Sequence, residues 1–338
     1  MHAFYSDTQT RPTRAMREAA LMVPLGDERH DADPCTTELC ARVADLLGME
    51  AAVFLPSGTM CNEIAIAVHT RPGDEVICTR ESHIIFAESG GPAALSGVMM
   101  CPIDTERGML TPDQVTDHLR APSAHAPRSR LLVAEQTANL AGGAIWPLEQ
   151  INAVARTAKE AGLATHLDGA RLLNAQVATG IPAAEYARGF DSAWIAFTKG
   201  LGCPVGAVLA GSRDFIDAAW LLKRRWGGAM RQTGVLTAMC LYALEHHVER
   251  LADDHALAAS IGKRLAELPV ISRVLPVDSN IVIADLAPSA PTAREAARHL
   301  AEKNVSLTVV GTRRIRIVTH LDVGPADADA LLEAMAAL

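Results

Sequence analysis

Short, nearly continuous apolar runs alternate with amphipathic stretches along most of this chain, and that alternation constrains the fold more than any other feature. The runs "AAVFL", "EVICT", "RLLVAEQ", "LATHLDGA", "SAWIAFT" and "VGAVLAG" are apolar on both sides of a strand. Such strands are buried on both faces, which requires a mostly parallel sheet covered by helices. Helices lie between them. Asp33 is placed to cap one that opens with Pro34, carries Leu39, Val43, Leu46 and Leu47 on one face and closes at Gly48. Another is expected in "CNEIAIAVH", a third from Pro112, and a fourth in "PLEQINAVARTAKEAG" with Ile151, Val154, Ala155 and Ala158 turned inward.

Two helical segments, "RDFIDAAWLLKRR" and "GVLTAMCLYALEHHVERL", then interrupt the alternation. A smaller pattern follows: a helix near Ala256 to Leu268, strands "NIVIADL", "VSLTV" and "RIRIVT", and helices near Arg294 to Glu302 and Asp327 to Met335. With 338 residues, 49% of them hydrophobic, the chain can build one large core and a second, smaller one. The expected division is residues 1–250, a large domain with an N-terminal arm, and 251–338, a small C-terminal α/β domain.

A net charge of −8 argues against nucleic acid or an anionic membrane as partner. A small molecule is the better expectation. The seven cysteines form no C-x-x-C pair, so neither a disulfide framework nor a zinc site is indicated. No apolar run of about 18 residues is present and no charged-then-apolar leader. A cytoplasmic location follows as the expectation.

Three stretches could carry chemistry. In "PSGTM", a Ser-Gly-Thr turn between a strand and a helix presents free N–H groups and a positive helix end, a place for an anion. Lys199, in "FTKGLG", follows a buried run and precedes two glycines that let a planar group approach the backbone, although a lysine at a strand end can also simply reach out to water. Asp168, in "HLDGAR", precedes Lys199 by 31 residues (199 − 168), one strand-helix-strand crossover. Both therefore belong at the carboxyl ends of strands, where ligands of open α/β sheets bind. An amine, a buried carboxylate and a phosphate turn together meet the needs of pyridoxal 5′-phosphate. The plainer alternative is that Asp168 pairs with Arg171.

The motifs "SDTQTRPTRAMREA", "LGDE", "FLPSGTMCNEIA", "SHI" with "ESGG", "EQTANLAGG", "HLDGARLLNA", "TKGLGCPVGAVLAG", "GGAMRQTG" and "RIRIVTHLDV" occur in order over nearly the whole chain. The set resembles the low-specificity L-threonine aldolases of the β-eliminating lyase group, which are fold type I pyridoxal-phosphate enzymes. The resemblance implies an aspartate-aminotransferase-like α/β fold and cleavage of β-hydroxy-α-amino acids to glycine and an aldehyde. Another reaction at Cα, such as β-elimination, racemisation or transamination, stays open on the same scaffold. So does a cofactor-binding module without catalysis.

By this resemblance Lys199 is the Schiff-base lysine, Asp168 the partner of the pyridine nitrogen, and His83 the ring-stacking histidine and a candidate base. Ser57, Gly58 and Thr59 form the phosphate cradle. Ser6, Arg171 and Arg316 hold the substrate carboxylate, with Arg171 also near the cofactor. Arg231 reaches the cofactor phosphate across a dimer interface, which implies a homo-oligomer, a dimer of dimers. His125 is placed as an active-site histidine, with an exposed loop as the alternative reading. His246, His247 and His255 read as solvated helix faces rather than metal ligands. The chain departs from the family pattern at Tyr5, His30, Asp31, Ala138 and Arg224, where arginine, tyrosine, glycine, histidine and lysine are usual.

Overall fold

A computed structural model describes all residues from 1 to 338. Its strands are β1 (His2–Ala3), β2 (Ala51–Leu55), β3 (Glu75–Thr79), β4 (Met99–Ile103), β5 (Ser129–Glu135), β6 (Ala164–Asp168), β7 (Ser192–Ala196) and β8 (Ala207–Gly211), followed by β9 (Ile271–Val274), β10 (Ile281–Leu286), β11 (Val305–Ser306), β12 (Thr308–Val309) and β13 (Arg314–Val318). Seven of them form the main sheet in the order β2-β8-β7-β6-β5-β3-β4. Pairing is parallel from β7 through to β4, whereas β8 runs antiparallel to both neighbours, β2 and β7. The short return from Lys199 to Ala207 has no room for a crossover helix, and only an antiparallel neighbour can be reached by so short a connection.

The expected alternation is present. The helix Pro34–Leu47 has the Asp33 side chain accepting from the Thr36 amide at its start and Gly48 in the left-handed region at its end. In Leu148–Glu160, the buried residues are Ile151, Val154, Ala155 and Ala158. Three strands were not legible beforehand: β1, only two residues long, β4 and β9. β4 carries Pro102 and is half exposed, because it is an edge strand and needs no apolar face on its outer side. β9 is four residues long and buries only Ile271 fully. The run "VSLTV" also divides, its halves pairing with β1 and with β13.

The apolar core has two main parts. The larger gathers residues from Met16 to Leu251 around the main sheet, and the second gathers Ala258 to Met335 around the sheet β12-β13-β10-β9. The helix Leu251–Leu265 joins them, with Leu251 in the first and Ala258, Ile261 and Leu265 in the second. The N-terminal arm, expected with the large domain, packs on the other side: β1 pairs with β11 and Phe4 is buried in the second core. The chain then crosses back, so that Ser6 and Asp7 lie between the two cores. No helix is long and apolar enough to cross a membrane.

Candidate active site

Three strand ends converge where the main sheet meets the second core. Asp168 ends β6, Glu135 ends β5 directly opposite it in register, and Lys199 follows β7 by three residues. All three strands run the same way, so their carboxyl ends, and these three side chains, share one edge.

Asp168 is 2% exposed and does not pair with Arg171. Its Oδ1 accepts from the Ala170 amide at 3.0 Å and its Oδ2 from Asn62 Nδ2 at 2.8 Å. Asn62 lies on the buried face of the helix Gly58–His69, and its amide orientation is dictated by its surroundings. Its Oδ1 accepts from Trp194 Nε1 at 2.8 Å and meets His166 Nε2 at 3.1 Å, so its nitrogen must face Asp168. The same nitrogen donates to Glu88 Oε1 at 2.7 Å.

Tautomers follow along the chain of contacts. His166 Nε2 donates to Asn62, so its Nδ1 accepts from Ser192 Oγ at 2.8 Å, and Ser192 Oγ accepts from His69 Nε2 at 2.8 Å. Both histidines are neutral links. Burial lowers the His166 pKa to about 3 and the His69 pKa to about 4.

His83 opens the short helix His83–Phe86, and its amide donates to Glu135 Oε2 at 3.1 Å. Its Nδ1 lies 2.7 Å from Glu88 Oε1. Burial opposes the charged ring, but the Glu88 hydrogen bond and the Asp168, Glu135 and Glu88 charges outweigh it, and the His83 pKa is raised. Glu135 is pushed up to about 7 by burial and by Asp168, against the pull of His83. Burial, then Arg171, lowers the Lys199 pKa, with Asp7, Asp168 and Glu135 pulling the other way. A lysine so placed yields its proton more readily and becomes a better nucleophile.

Arg171 is occupied by Asp7, with Nε at 2.8 Å and Nη2 at 2.6 Å from the two carboxylate oxygens. Asn280 of the second core donates to the same carboxylate at 3.1 Å. Burial disfavours a charged Asp7, yet Arg171 holds it well below the usual carboxylate range. Arg316, on β13, is 7% exposed, and its Nε has no partner. Burial and the adjacent Arg171 lower its pKa to about 10. A second buried guanidinium beside an ion pair that is already complete leaves unbalanced positive charge, the setting an anionic ligand would relieve.

Ser57 caps the helix Gly58–His69 by accepting from the Met60 amide, and Ser57 and Thr59 are exposed at its open end. Position 58 must be glycine, since a Cβ there would fall 2.2 Å from the Trp194 ring. The glycines after Lys199 serve differently from expectation. A Cβ at Gly200 would strike Leu251 at 2.6 Å, and Gly202 has φ +79°, so packing and backbone conformation account for both. Ser6, 7% exposed, caps the 3₁₀ turn that holds Asp7.

Other expected residues lie elsewhere. His125 is exposed in the loop that precedes Ser129, at the amino-terminal edge of β5, the full length of the strand from Glu135. Within one copy this matches the exposed-loop reading of His125 and keeps it away from the edge that carries Lys199. Ala138, where a histidine is usual, is buried against Ala141 and Ala144. His247 is 6% exposed, with Nδ1 2.8 Å from the Leu201 carbonyl oxygen, and His255 meets Asn174, so only His246 of that trio has the expected solvated position. Arg231 is exposed, bonded only to the Met230 carbonyl, and its own carbonyl receives the Glu28 amide. His30 and Asp31 are therefore exposed beside it. Asp7, Asn62, Glu88, Glu135 and Asn280 join the site without having been singled out.

The neutral histidines make acid stability testable. Unfolding exposes both to their ordinary pKa of 6.5, so the unfolded chain binds more protons between that value and about pH 3 to 4. Stability rises with pH across this window and levels off above it. Around pH 5 the pair contributes a slope of up to about 2.7 kcal/mol per pH unit, and His69→Gln removes up to about 1.4 of it. Urea unfolding at several pH values checks this. An unchanged slope in the variant rejects the neutral assignment.

The β-eliminating lyase family model matches residues 3–289. The chain is 38% identical over 319 residues to the low specificity L-threonine aldolase of Escherichia coli K12, covering 94% of this chain and 93% of that one. It is 37% identical over 328 residues to the low-specificity L-threonine aldolase 1 of Arabidopsis thaliana, covering 95% and 92%. Among solved structures, the threonine aldolase of Leishmania major superposes with a TM-score of 0.82 at 22% identity, covering 98% of both chains. With a family model over most of its length and relatives at this identity and coverage, the chain belongs to the β-eliminating lyase family.

Proposed function

We propose that this enzyme is an aldolase that cleaves the Cα–Cβ bond of L-threonine, L-allo-threonine and related β-hydroxy-α-amino acids, releasing glycine and an aldehyde. The observation that carries the reading is the shared edge of Asp168, a buried carboxylate that accepts from two donors, and Lys199, a desolvated amine, with the unpartnered Arg316 beside the Asp7–Arg171 pair. Lys199, Asp168, Ser57, Gly58 and Thr59 would hold pyridoxal 5′-phosphate. When bound, that cofactor supplies the electron sink for the pair released from the broken bond.

The chain's own residues do the rest. Arg316 takes the substrate carboxylate, and the Arg171–Asp7 pair, with Ser6, stiffens the wall behind it; a carboxylate held this way fixes rotation about Cα and so selects which bond breaks. His83 donates from Nδ1 to Glu88, which leaves Nε2 of the neutral ring free to accept the β-hydroxyl proton. His125 takes no part in this reading.

Two copies complete the site. Arg231 is exposed and engaged only by a neighbouring carbonyl, so it is free to reach a phosphate held by a second copy, carrying the His30–Asp31 turn with it. A cytoplasmic homotetramer of two such dimers is the assembly we propose.

The deciding experiment follows aldehyde and glycine release from L-threonine, L-allo-threonine and phenylserine by the cofactor-loaded protein. Equal release of the two products is expected, and Lys199→Ala abolishes it. Bound cofactor without aldehyde overturns the aldolase reading and favours another reaction at Cα.

The acidic limb of kcat/KM reports the His83 proton. Because the His83 pKa is raised, the limb lies above pH 6.5, and Glu88→Gln, by removing a negative charge, moves it to lower pH. A limb that stays in place removes His83 from the role of base.

The shared site is checked by mixing Lys199→Ala and Arg231→Ala subunits, each inactive alone. Exchange restores activity through hybrids with one intact site. No recovery in proven hybrids rejects the shared site.

A further inference from the structure

Glu63 has no function in the mechanism above, yet it is among the most unusual side chains of the molecule. It lies on the buried face of the helix Gly58–His69 beside Asn62, Ile64, Ala65 and Ile66, and it is 3% exposed. No lysine, arginine or histidine pairs with it, and both carboxyl oxygens lack a donor. Its contact is a second carboxyl group, Glu88, whose Oε2 also lacks a donor. The fit depends on Gly91: a Cβ there would fall 1.9 Å from Glu63 Oε1.

Two buried carboxylates in contact cannot both be charged at modest cost. A single proton between them supplies the missing donor to Glu88 Oε2 and removes one of the two charges. Glu88 is the better acceptor of the two, since its Oε1 already accepts from Asn62 Nδ2 at 2.7 Å and faces His83 Nδ1 at 2.7 Å, whereas Glu63 has no donor.

We propose that Glu63 is a neutral carboxylic acid that donates its proton to Glu88, and that through Glu88 it sets the charge available to His83. Glu63 is thus a positioning residue, acting on His83 through Glu88. With Glu63 neutral, Glu88 divides its acceptor strength among three donors and His83 faces one carboxylate on that side. When Glu63 loses its proton to solvent, a second negative charge arrives and His83 is held protonated more firmly. The other charged or titratable groups around this cluster are Asp168, Glu135, Lys199 and Cys61. Burial and Glu88 raise the Glu63 pKa to about 8, which places the change in the mildly alkaline range.

Only the consequence for turnover rests on the proposed aldolase reading; the shared proton is independent of it. The test uses the cofactor-loaded enzyme, its Glu63→Gln and Glu63→Leu variants, and two spectroscopic measurements. In the infrared, the wild type shows at neutral pH a carbonyl stretch of a neutral carboxylic acid that Glu63→Gln lacks. In NMR titrations of labelled histidine, with His83 assigned by its loss in His83→Gln, the wild-type ring shows a second, alkaline inflection. Glu63→Gln, whose amide still donates to Glu88, keeps the first inflection and loses the second. Glu63→Leu, which leaves Glu88 without that donor, moves the first inflection upward.

Wild-type and Glu63→Gln spectra that superpose, with no neutral-acid band and no second inflection, overturn the proposal whatever the enzyme's activity. Identical titrations for the Gln and Leu variants overturn it as well, since a donor would then have no effect. Loss of aldol cleavage with the spectroscopic pattern intact would instead count against the functional reading alone.

Discussion

A carboxyl group has to be satisfied in a place that water hardly reaches, and much of the structure serves that one requirement. Asp168 is 2% exposed, and an ionised carboxylate in such surroundings costs several kcal/mol unless donors surround it. One donor is the backbone of its own turn; the other is Asn62, from a different layer of the fold. Asn62 can serve only because Trp194 and His166 both claim its oxygen, and His166 is set in turn by Ser192 and His69. The helix Gly58–His69 and strands β6 and β7 are thereby tied together by the polar side of the site as well as by apolar packing.

The same amide reaches Glu88, and Glu88 reaches His83, so the group that steadies Asp168 also orients the imidazole. On the other flank, Asp7 accepts from Arg171 of the large core and Asn280 of the small one, which makes a buried ion pair part of the joint between them. Arg316 enters from β13 beside that pair, so buried acids and guanidinium groups meet where the two cores join. Polarity of this kind suits a zwitterionic amino acid. Net charge says nothing of it: the chain as a whole is acidic, while Arg171 and Arg316 bring two guanidinium groups together beside Asp7.

How much could be read beforehand depends on the range of the interaction. The helix Pro34–Leu47 was legible to its last residue, because an Asp cap, a proline at the first turn and a terminal glycine act within a few residues. The run "HLDGAR" and the lysine one crossover later were legible because strand polarity puts both at one edge. Asn62 and Glu63, polar residues in an apolar helix, and Glu88, in the turn after His83–Phe86, were not, since none of them announces its partner. Nor was Asp7, lying 164 positions from Arg171. The two readings of His125 stayed open for a related reason: proximity in sequence to β5 did not say which end of the strand it would adorn.

The sequence by itself determined the alternating α/β architecture, the family, and the chemistry that Lys199 and Asp168 can support, because periodicity and strand direction are local properties that every further contact must respect. Only the tertiary structure decided that Arg171 belongs to Asp7 rather than to Asp168, that β8 turns back against its neighbours, that His125 is exposed at the opposite end of β5 from Glu135, and that Glu63 meets Glu88. Those outcomes depend on which distant groups share a buried volume. There a proton or a charge is placed by the sum of its neighbours, and no stretch of the chain carries that sum alone.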